Sequence, residues 1–331
     1  MEFTNIVPNG PYGLPLNNKQ FINFLLRTIN FAYNIRGSEN NFPGPQPVSI
    51  EKKDFEKLAT FDYNITLKLD GTRFLLYFML DKHQNKQIIL INRALNFFKI
   101  NIECEDNLFD SNGTLLDGEL IYHDFQWKFY VHDGLILCGN KINKESHRER
   151  IDNIKCCLES FVYNKNVNTF KIETKTFYNF NEIDHFIDNI YNNNSFPSND
   201  GLIFMPNKLP VVSGTQYSMF KWKLPNKHTF DFKIIENESN LIAKVYHLNK
   251  LIDFANIKAD DINGKQFIDT LKQLDNYQDE CIVECNFDKE KQNFIPILIR
   301  TDKTHPNSLR TIERTLFNIN ENIIIDDFKN I

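Results

Sequence analysis

The sequence lacks the cysteine spacings of a metal-binding or disulfide-stapled protein. Its six cysteines form no Cys-x-x-Cys pair and no two-pair zinc spacing. Cys281 and Cys285 fall in the alternating run ECIVECNF, a pattern typical of a strand rather than of a ligand set. We therefore expect reduced thiols and no structural zinc.

Long apolar runs and an excess of basic charge are also missing. No stretch approaches the roughly 18 apolar residues of a membrane span, and MEFTNIVPNG is not a secretory signal. We therefore expect an intracellular protein that does not associate with a membrane. A net charge of −5 argues against a protein that coats nucleic acid, so any such contact would use a local positive groove.

What the sequence does contain is the composition of a folded protein with one large or two ordinary domains. It has 331 residues, of which 41% are hydrophobic and 24% are charged. Helical spacing predicts helices at 18–34, 145–162, 181–193, 265–275 and 308–318. A composition shift near residue 229 predicts domains at 1–228 and 229–331, the second of which has the size of a five-stranded barrel.

The stretch NITLKLDGTRFLLYFML, residues 64–80, predicts a β-hairpin, because two strand-like runs flank Asp70-Gly71. Alternation places Ile65, Leu67 and Leu69 on one face and Lys68 on the other. Neither Lys68 nor Arg73 is needed for a turn. They are either solvated surface charges or the residues that the hairpin presents.

Further charged groups stand at strand ends or turns, in the order LLDGEL, SNDGLIF, MFKWKL and LIRTDKTHPN. With these, KLDGTR (68–73) resembles the KxDGxR motif of the covalent nucleotidyltransferases, a superfamily of mRNA capping enzymes and polynucleotide ligases. The ordered matches continue at DGEL (117–120), VHDGLILCGN (131–140), DGLIF (200–204), FKWKLP (220–225) and RTDKTHPN (300–307). Within this superfamily, three features are most similar to the capping enzymes: the Thr in DGTR, the segment FPGPQPVS (42–49), and the extended motif RTDKTHPN.

This resemblance implies an α+β fold: a nucleotidyltransferase domain with antiparallel sheets, ATP-grasp-like as in DNA ligases and capping enzymes, followed by an OB-fold β-barrel with a C-terminal helix. It implies an mRNA guanylyltransferase that transfers GMP from GTP through lysyl-GMP to the 5′-diphosphate end of RNA. The substrates would be GTP and that RNA, and the cofactor Mg²⁺ or Mn²⁺. An RNA triphosphatase and a cap methyltransferase would be separate chains. The place of action would be the nucleus or cytoplasm, or a viral factory if the source is a virus.

The resemblance also implies the role of each site residue. Lys68 is the nucleophile, and Asp200 the carboxylate associated with the metal. Nucleotide contacts are implied for the ribose (Arg73, Arg93, Glu119), the guanine base (His132, Lys175), the α-phosphate (Lys221, Lys223) and the leaving pyrophosphate (Arg300, Lys303), with Asp302 orienting that last end. Capping enzymes usually have an aromatic residue where His132 stands, so the stacking partner of guanine departs from the family pattern. An imidazole stacks more weakly, and Tyr130 could take its place only in a different register.

Two other interpretations remain open at this point. An ATP-dependent DNA or RNA ligase shares the lysine motif and its chemistry. A non-catalytic binding module would share the fold, but it would not need Lys68, Glu119, Asp200, Lys221 and Lys223 together.

Overall fold

The computed structural model describes residues 2–35, 41–159, 161–193, 197–237, 240–301 and 303–331. The chain forms two compact units. Unit 1 comprises Met1–Ile50, Phe55–Trp222 and Ile331; unit 2 comprises Glu51–Asp54 and Lys223–Asn330. The chain therefore contributes four residues to unit 2 at positions 51–54 and then returns to unit 1. It passes into unit 2 again between Trp222 and Lys223, a few residues before the boundary predicted at 228/229.

Both units contain α-helices as well as sheets. The α-helices of unit 1 are α1 (Lys19–Ala32), α2 (Phe55–Thr60), α3 (His147–Leu158) and α4 (Ile183–Phe186), and those of unit 2 are α5 (Ile262–Lys272) and α6 (Leu309–Glu321). Short 3₁₀ turns lie at Lys52–Asp54, Asp106–Phe109, Phe180–Glu182, Pro225–Lys227 and Ile325–Asn330, and a π turn at Ile187–Tyr191. In place of the single helix predicted at 181–193, the chain forms a 3₁₀ turn, the one-turn helix α4 and a π turn in succession. Asparagine is frequent in this segment and favours helix poorly.

Two sheets form the body of unit 1. Sheet 1 contains β1 (Thr4–Asn5), β2 (Tyr12–Pro15), β5 (Thr72–Leu80), β6 (Lys86–Asn92), β7 (Phe97–Lys99), β8 (Thr114–His123), β9 (Gln126–Leu137), β10 (Asn140–Lys141) and β11 (Lys171–Thr174). Their order is β1-β2-β7-β6-β5-β8-β9-β10, with β11 parallel to β9. Sheet 2 contains β3 (Gln46–Ser49), β4 (Tyr63–Leu69), β12 (Tyr178–Asn179), β13 (Asn199–Pro206) and β14 (Thr215–Lys223), in the order β12-β4-β13-β14-β3.

The hairpin predicted at 64–80 is wrong, although both of its strands exist. β4 pairs with β12 and β13 in sheet 2, whereas β5 pairs with β6 and β8 in sheet 1. Neither Asp70 nor Gly71 has the positive φ that a type I′ hairpin turn requires. The chain instead forms a corner at Asp70-Gly71, where it passes from sheet 2 into sheet 1. A side chain at Gly71 would meet the Leu120 carbonyl oxygen at 2.7 Å, so the glycine permits close packing at this corner.

Sheet 1 is covered by apolar side chains on both faces. Alternate residues of β5 and β8 bury Phe74, Leu76 and Leu116 in one cluster, which Ile154 of α3 joins. Leu75 and Leu115, on the opposite face, pack with Leu25 and Ile29 of α1. Beyond this second cluster the same face of sheet 1 becomes polar, and the candidate site begins there.

Unit 2 is built on sheet 3, a five-stranded antiparallel sheet. Its strands are β15 (Thr229–Asn237), β16 (Asn240–His247), β17 (Lys250–Lys258), β18 (Glu280–Asp288) and β19 (Asn293–Ile299), in the order β17-β16-β15-β18-β19. Phe230, Phe232 and Val245 form its core, against which Phe267 of α5 and Ile312 of α6 pack. A central first strand between the second and fourth is the connectivity expected of an OB-type unit.

Candidate active site

Lys68 forms an ion pair with Asp200 on the neighbouring strand. The two strands are antiparallel, and Gly201 is the register partner of Lys68. A register shift between Asn199 and Gly201 places Asp200 at an irregularity, and its Oδ1 lies 2.6 Å from Lys68 Nζ. Both side chains remain partly accessible, at 22% and 16% exposure. An amine that is held by one carboxylate and still reachable is suited to attack a bound substrate.

Arg73, at the start of β5, is anchored on three sides. Its Nε donates to Asp117 Oδ1 at 2.9 Å and its Nη2 donates to Asp117 Oδ2 at 2.6 Å, which makes a bidentate pair. Its Nη1 donates to the Pro45 carbonyl oxygen at 2.6 Å, and its guanidinium lies over the Phe42 ring at 5.3 Å. The segment FPGPQ therefore fixes Arg73 from outside sheet 1.

The buried carboxylate of Asp117 also organises a histidine and a tyrosine. His132 Nε2 lies 3.3 Å from Asp117 Oδ1, and the Tyr33 hydroxyl donates to Asp117 Oδ2 at 3.5 Å. Burial lowers the pKa of His132 to about 4, which outweighs the opposite effect of Asp117. His132 is therefore neutral at pH 7. Its Nδ1 is buried and has no hydrogen-bond partner among the described residues.

Glu119 and Lys175 are two further charged groups whose electrostatic influence reaches one another. Glu119 Oε1 accepts from the Gly71 backbone N–H at 3.3 Å. Burial raises the pKa of Glu119, and the charges of Lys175 and Lys68 oppose that shift. Burial lowers the pKa of Lys175 to about 8, partly offset by Glu119. Glu119 and Lys175 thus lie within electrostatic reach of Lys68. Lys68 is in sheet 2, whereas Glu119 is in β8 of sheet 1 and Lys175 directly follows β11 of sheet 1.

A cavity of about 280 Å³ opens between sheets 1 and 2 beside Lys175. Thr66 and Leu67 of β4 line it from sheet 2, and Tyr130, Glu173 and Lys175 line it from the other side. This volume lies just below the roughly 300–1,000 Å³ range of ligand sites. The lining residues include Lys175 but neither Lys68 nor Asp200.

Helix α3 fixes the irregular part of β9 from behind. The helix begins with a capping box between Ser146 and Glu149. Arg150 donates to both carboxylate oxygens of Asp133, at 2.7 and 2.8 Å, and this pair is almost wholly buried. Burial alone would raise the pKa of Asp133, but Arg150 holds it below its usual value. His147 Nε2 lies 3.1 Å from the His132 carbonyl oxygen.

Three other residues implied by the resemblance, Arg93, Lys221 and Lys223, lie outside this cluster of contacts, and Lys223 is the first residue of the second segment of unit 2. Arg93 Nη2 donates to Gln46 Oε1 at 3.1 Å. Lys221 and Lys223 lie on one face of β14, and Phe220 and Trp222 are buried on the other. The backbone of Lys221 accepts a hydrogen bond from the Ile50 N–H at 3.0 Å.

Arg300 and Lys303 belong to unit 2, where acidic side chains hold them. Arg300 Nη1 lies 2.9 Å from Glu284 Oε2 and 3.4 Å from Asp231 Oδ1, and Lys303 pairs with Asp231 Oδ2. Asn307 donates to the same Asp231 carboxylate at 3.2 Å. Asp302, the last residue of this group, lies outside the described residues.

Sequence reasoning did not single out the hub at Asp117 or the cavity residue Glu173 as site residues. A signal existed for Asp117, because LLDGEL places it two residues before Glu119 on the same strand face. Glu173 stands in the same relation to Lys175 in ETKTFY. Tyr33 gave no such signal, since only the fold brings it to Asp117.

The residues around Lys68 fit a divalent cation that a nucleotide helps to hold. No group of three or more metal-ligating His, Cys, Asp or Glu side chains occurs in the described part of the chain. Mg²⁺ typically takes one or two carboxylates together with substrate phosphates, and Asp200 supplies one such oxygen ligand beside the nucleophile.

A partly accessible lysine that is paired with a carboxylate, close to an arginine, a glutamate and a second lysine, is the arrangement expected of a nucleotidyltransferase. Comparison with known sequences gives the family. A model of the mRNA capping enzyme catalytic domain matches residues 17–225, and a model of the mRNA capping enzyme C-terminal domain matches residues 208–328. The chain belongs to the mRNA capping enzyme family. The resemblance inferred from its motifs and the predicted α+β fold with an OB-like C-terminal domain are confirmed.

Individual relatives agree with this assignment. The mRNA-capping enzyme subunit alpha of Schizosaccharomyces pombe is 28% identical over 327 residues, which cover 88% of this chain and 79% of that protein. The mRNA-capping enzyme of Danio rerio is 25% identical over 298 residues, which cover 82% of this chain and 46% of that protein. Among solved structures, mycobacterial DNA ligase D complexed with ATP and MES aligns over 81% of this chain and 97% of its own, with a TM-score of 0.40 and 10% identity.

No helix within the described ranges is both long enough and apolar enough to cross a membrane.

Proposed function

We propose that this chain is an mRNA guanylyltransferase and that Lys68 carries the GMP. The observation that carries the proposal is the ion pair of Lys68 with Asp200, with the charges of Glu119 and Lys175 close enough to interact with Lys68 and with Arg73 paired to Glu119 in the strand register. A family match over both the catalytic and the C-terminal domain supports it.

In the first step, Lys68, which is a cation in its pair with Asp200, loses a proton, and its amine then attacks the α-phosphorus of GTP. A P–N bond forms, the bond to the bridging oxygen breaks, pyrophosphate leaves, and the attacking nitrogen gives up a second proton. Asp200, 2.6 Å from Nζ, orients the amine and can accept a proton from it. Lysine suits this role because its amine can act in the deprotonated form, which the guanidinium of arginine cannot.

The remaining side chains bind and orient the nucleotide. Arg73 and Glu119, which are register partners on β5 and β8, would hold the ribose, with Arg93 at the rim. Lys221 and Lys223 would contact the α-phosphate. Asp200 and the nucleotide phosphates would hold Mg²⁺ or Mn²⁺, which supplies charge neutralisation for phosphoryl transfer. The stacking role of His132 and the pyrophosphate role of Arg300 and Lys303 stay predictions.

In the second step, a β-phosphate oxygen at the 5′-diphosphate end of RNA attacks the phosphorus. The P–N bond breaks, Lys68 is released, and the RNA gains a GpppN end. A 5′-diphosphate end requires prior removal of the γ-phosphate, so we propose that a triphosphatase supplies the substrate and a methyltransferase modifies the product, in the nucleus or cytoplasm.

The test is covalent labelling. The protein is incubated with α-labelled GTP or ATP and Mg²⁺ or Mn²⁺, then denatured. We expect label from GTP in the wild-type protein and none in Lys68→Ala. Label from ATP alone would support a ligase instead, and label that persists in Lys68→Ala would overturn the nucleophile assignment.

A further inference from the structure

The outer face of α1 carries two exposed aromatic rings and a positive charge. Phe24 and Phe31 are 49% and 64% exposed, and Arg27 between them is exposed as well. Positions 24, 27 and 31 fall on one side of a helix, away from Leu25 and Ile29, which α1 buries against sheet 1. Seven residues of helix rise about 10 Å, so the rings and the guanidinium form a short stripe, the α1 stripe.

The chain segment that contains the α1 stripe has no acidic residue. No Asp or Glu occurs from residue 3 to residue 38, although the whole chain has 43 of them. The positive charge of the stripe therefore has no carboxylate on its own segment to cancel it.

Further positive charge lies at the C-terminal end of α1. Lys141 Nζ lies 4.6 Å from the centre of the Phe31 ring, and it donates to the Phe31 carbonyl oxygen at 2.8 Å and to Asn34 Oδ1 at 2.6 Å. Both acceptors are neutral, so they position Lys141 without cancelling its charge. Burial and the nearby charge of Lys144 lower the pKa of Lys141, which places two cations close together at this end of the helix.

The same end of α1 adjoins a cavity and the catalytic cluster. The cavity has a volume of about 590 Å³, within the roughly 300–1,000 Å³ range of ligand sites, and Tyr33, Asn34 and Lys144 are among its lining residues. Tyr33 caps α1, and its hydroxyl donates to Asp117, which also holds Arg73. The α1 stripe therefore extends away from the cluster in which the 5′ end of an RNA substrate would react.

Exposed rings interleaved with cations match a single-stranded nucleic acid. Every base has a flat face that stacks on an aromatic side chain, and every nucleotide adds a phosphate. The stripe is about three times as long as the roughly 3.4 Å spacing of stacked nucleotides along a strand. A local patch of this kind is also the form of nucleic-acid contact that a protein with a net charge of −5 requires.

We propose that the α1 stripe, together with Lys141 and Lys144, binds the RNA strand downstream of its 5′-diphosphate end. Bases stack on Phe24 and Phe31, and the phosphates pair with Arg27 and the two lysines. This assignment rests on the proposed function and adds to it the surface that holds the body of the RNA.

The experiment isolates the transfer step. The lysyl-GMP form of the protein is mixed with a 5′-diphosphate dinucleotide or with a 5′-diphosphate RNA of about 20 nucleotides, which is longer than the roughly 4–16 nucleotides of a typical single-strand site. Transfer of GMP is followed in single turnovers across RNA concentrations. One stacked base corresponds to about five- to a hundredfold in affinity. We expect the double variant Phe24→Ala/Phe31→Ala to raise the half-saturating concentration of the long RNA by at least that factor and to leave transfer to the dinucleotide unchanged.

Formation of the lysyl adduct from GTP serves as the folding control, because it precedes RNA binding and should be unchanged in the double variant. Phe125→Ala, at a 95% exposed ring in the turn between β8 and β9, should behave as the wild-type protein with both RNAs. Arg27→Gln should reduce the slope of log affinity against log salt for the long RNA by about 0.7, the value for one phosphate contact on a single strand.

A wild-type half-saturating concentration of the long RNA in the double variant would overturn the proposal and leave the α1 stripe to a protein partner. Equal losses with the dinucleotide and the long RNA would also overturn it, because the rings would then act on the catalytic cluster and not on the strand. Absence of a GTP adduct in the wild-type protein would instead overturn the proposed function itself.

Discussion

The amine of Lys68 and the carboxylate of Asp200 lie 2.6 Å apart on paired strands of one sheet. The first prediction concerns this pair. Asp200→Asn should lower the rate of adduct formation from GTP about 100-fold, because the amine loses the group that orients it and the metal loses an oxygen ligand. Single-turnover labelling measures the rate.

The matched control for this change is Asp152→Asn, at an exposed position of α3. Its labelling rate should equal that of the wild-type protein. A wild-type rate in Asp200→Asn would remove Asp200 from the mechanism.

A second prediction concerns the buried pair of Asp133 and Arg150, whose side chains are 4% and 2% exposed. Arg150→Met leaves a buried carboxylate without its partner, so the free energy of unfolding should fall by about 3–5 kcal/mol. Both tryptophans, Trp127 and Trp222, belong to unit 1, so tryptophan fluorescence during urea unfolding reports on that unit.

The surface pair of Lys86 and Asp106, which also belongs to unit 1, provides the comparison, since its side chains are 48% and 87% exposed. Lys86→Met should cost less than about 1 kcal/mol. Equal effects of Arg150→Met and Lys86→Met would mean that the buried pair has no special role in the stability of unit 1.

The third prediction is a loss of stability in mild acid through His132. Its pKa is about 4 in the folded protein and about 6.5 when unfolded, so between these values the unfolded state binds more protons. Stability should therefore fall as pH is lowered from 6.5 to 4, by up to about 3 kcal/mol from this group. His132→Gln should reduce the slope, as measured by urea unfolding across this range.

Some slope should remain in His132→Gln, because burial also lowers the pKa of His147. His83→Gln, at an exposed turn, should leave the wild-type profile unchanged. A profile of His132→Gln identical to that of the wild-type protein would contradict the acid effect assigned to His132.

The fourth prediction concerns Lys175, whose pKa is about 8. Its amine is charged below that pH and neutral above it, so the affinity for GTP should be constant up to about pH 8 and fall roughly tenfold for each pH unit beyond, until the contact is lost. Calorimetric titration of Lys68→Arg with GTP measures this affinity, because arginine keeps the positive charge but forms no adduct.

The control adds Lys175→Arg, which stays protonated and should bind GTP with little change between pH 7 and 9. If both proteins lose affinity in parallel, the ionisation belongs to the nucleotide or to another group rather than to Lys175.

The order of the motifs was enough to predict the family and the fold class. Lys68, Arg73, Glu119 and Asp200 are all brought to the same region of unit 1. These residues could be found because each lies in a short local pattern that does not depend on how the strands pair.

Strand pairing itself could not be predicted. The Asp-Gly pair favours a hairpin locally, but β4 pairs with β13 in sheet 2 and β5 pairs with β8 in sheet 1. Tertiary pairing therefore outweighs the local turn preference. The same limit applies to Asp117: its contacts with Tyr33 and His132 depend on α1 and on the register shift within β9, neither of which is visible in the sequence around residue 117.

The early segment Glu51–Asp54 has a practical consequence for dissecting the protein. Glu51 Oε1 accepts from Arg314 Nη2 at 3.1 Å, and the Lys52 N–H donates to the Glu321 carboxylate at 3.2 Å. A fragment that starts at residue 223 would therefore lack part of its own fold, and its C-terminal helix would lose these two tethers. No single cut in the chain yields both units intact, so gene fusions or swaps that exchange the C-terminal unit must carry residues 51–54 with it.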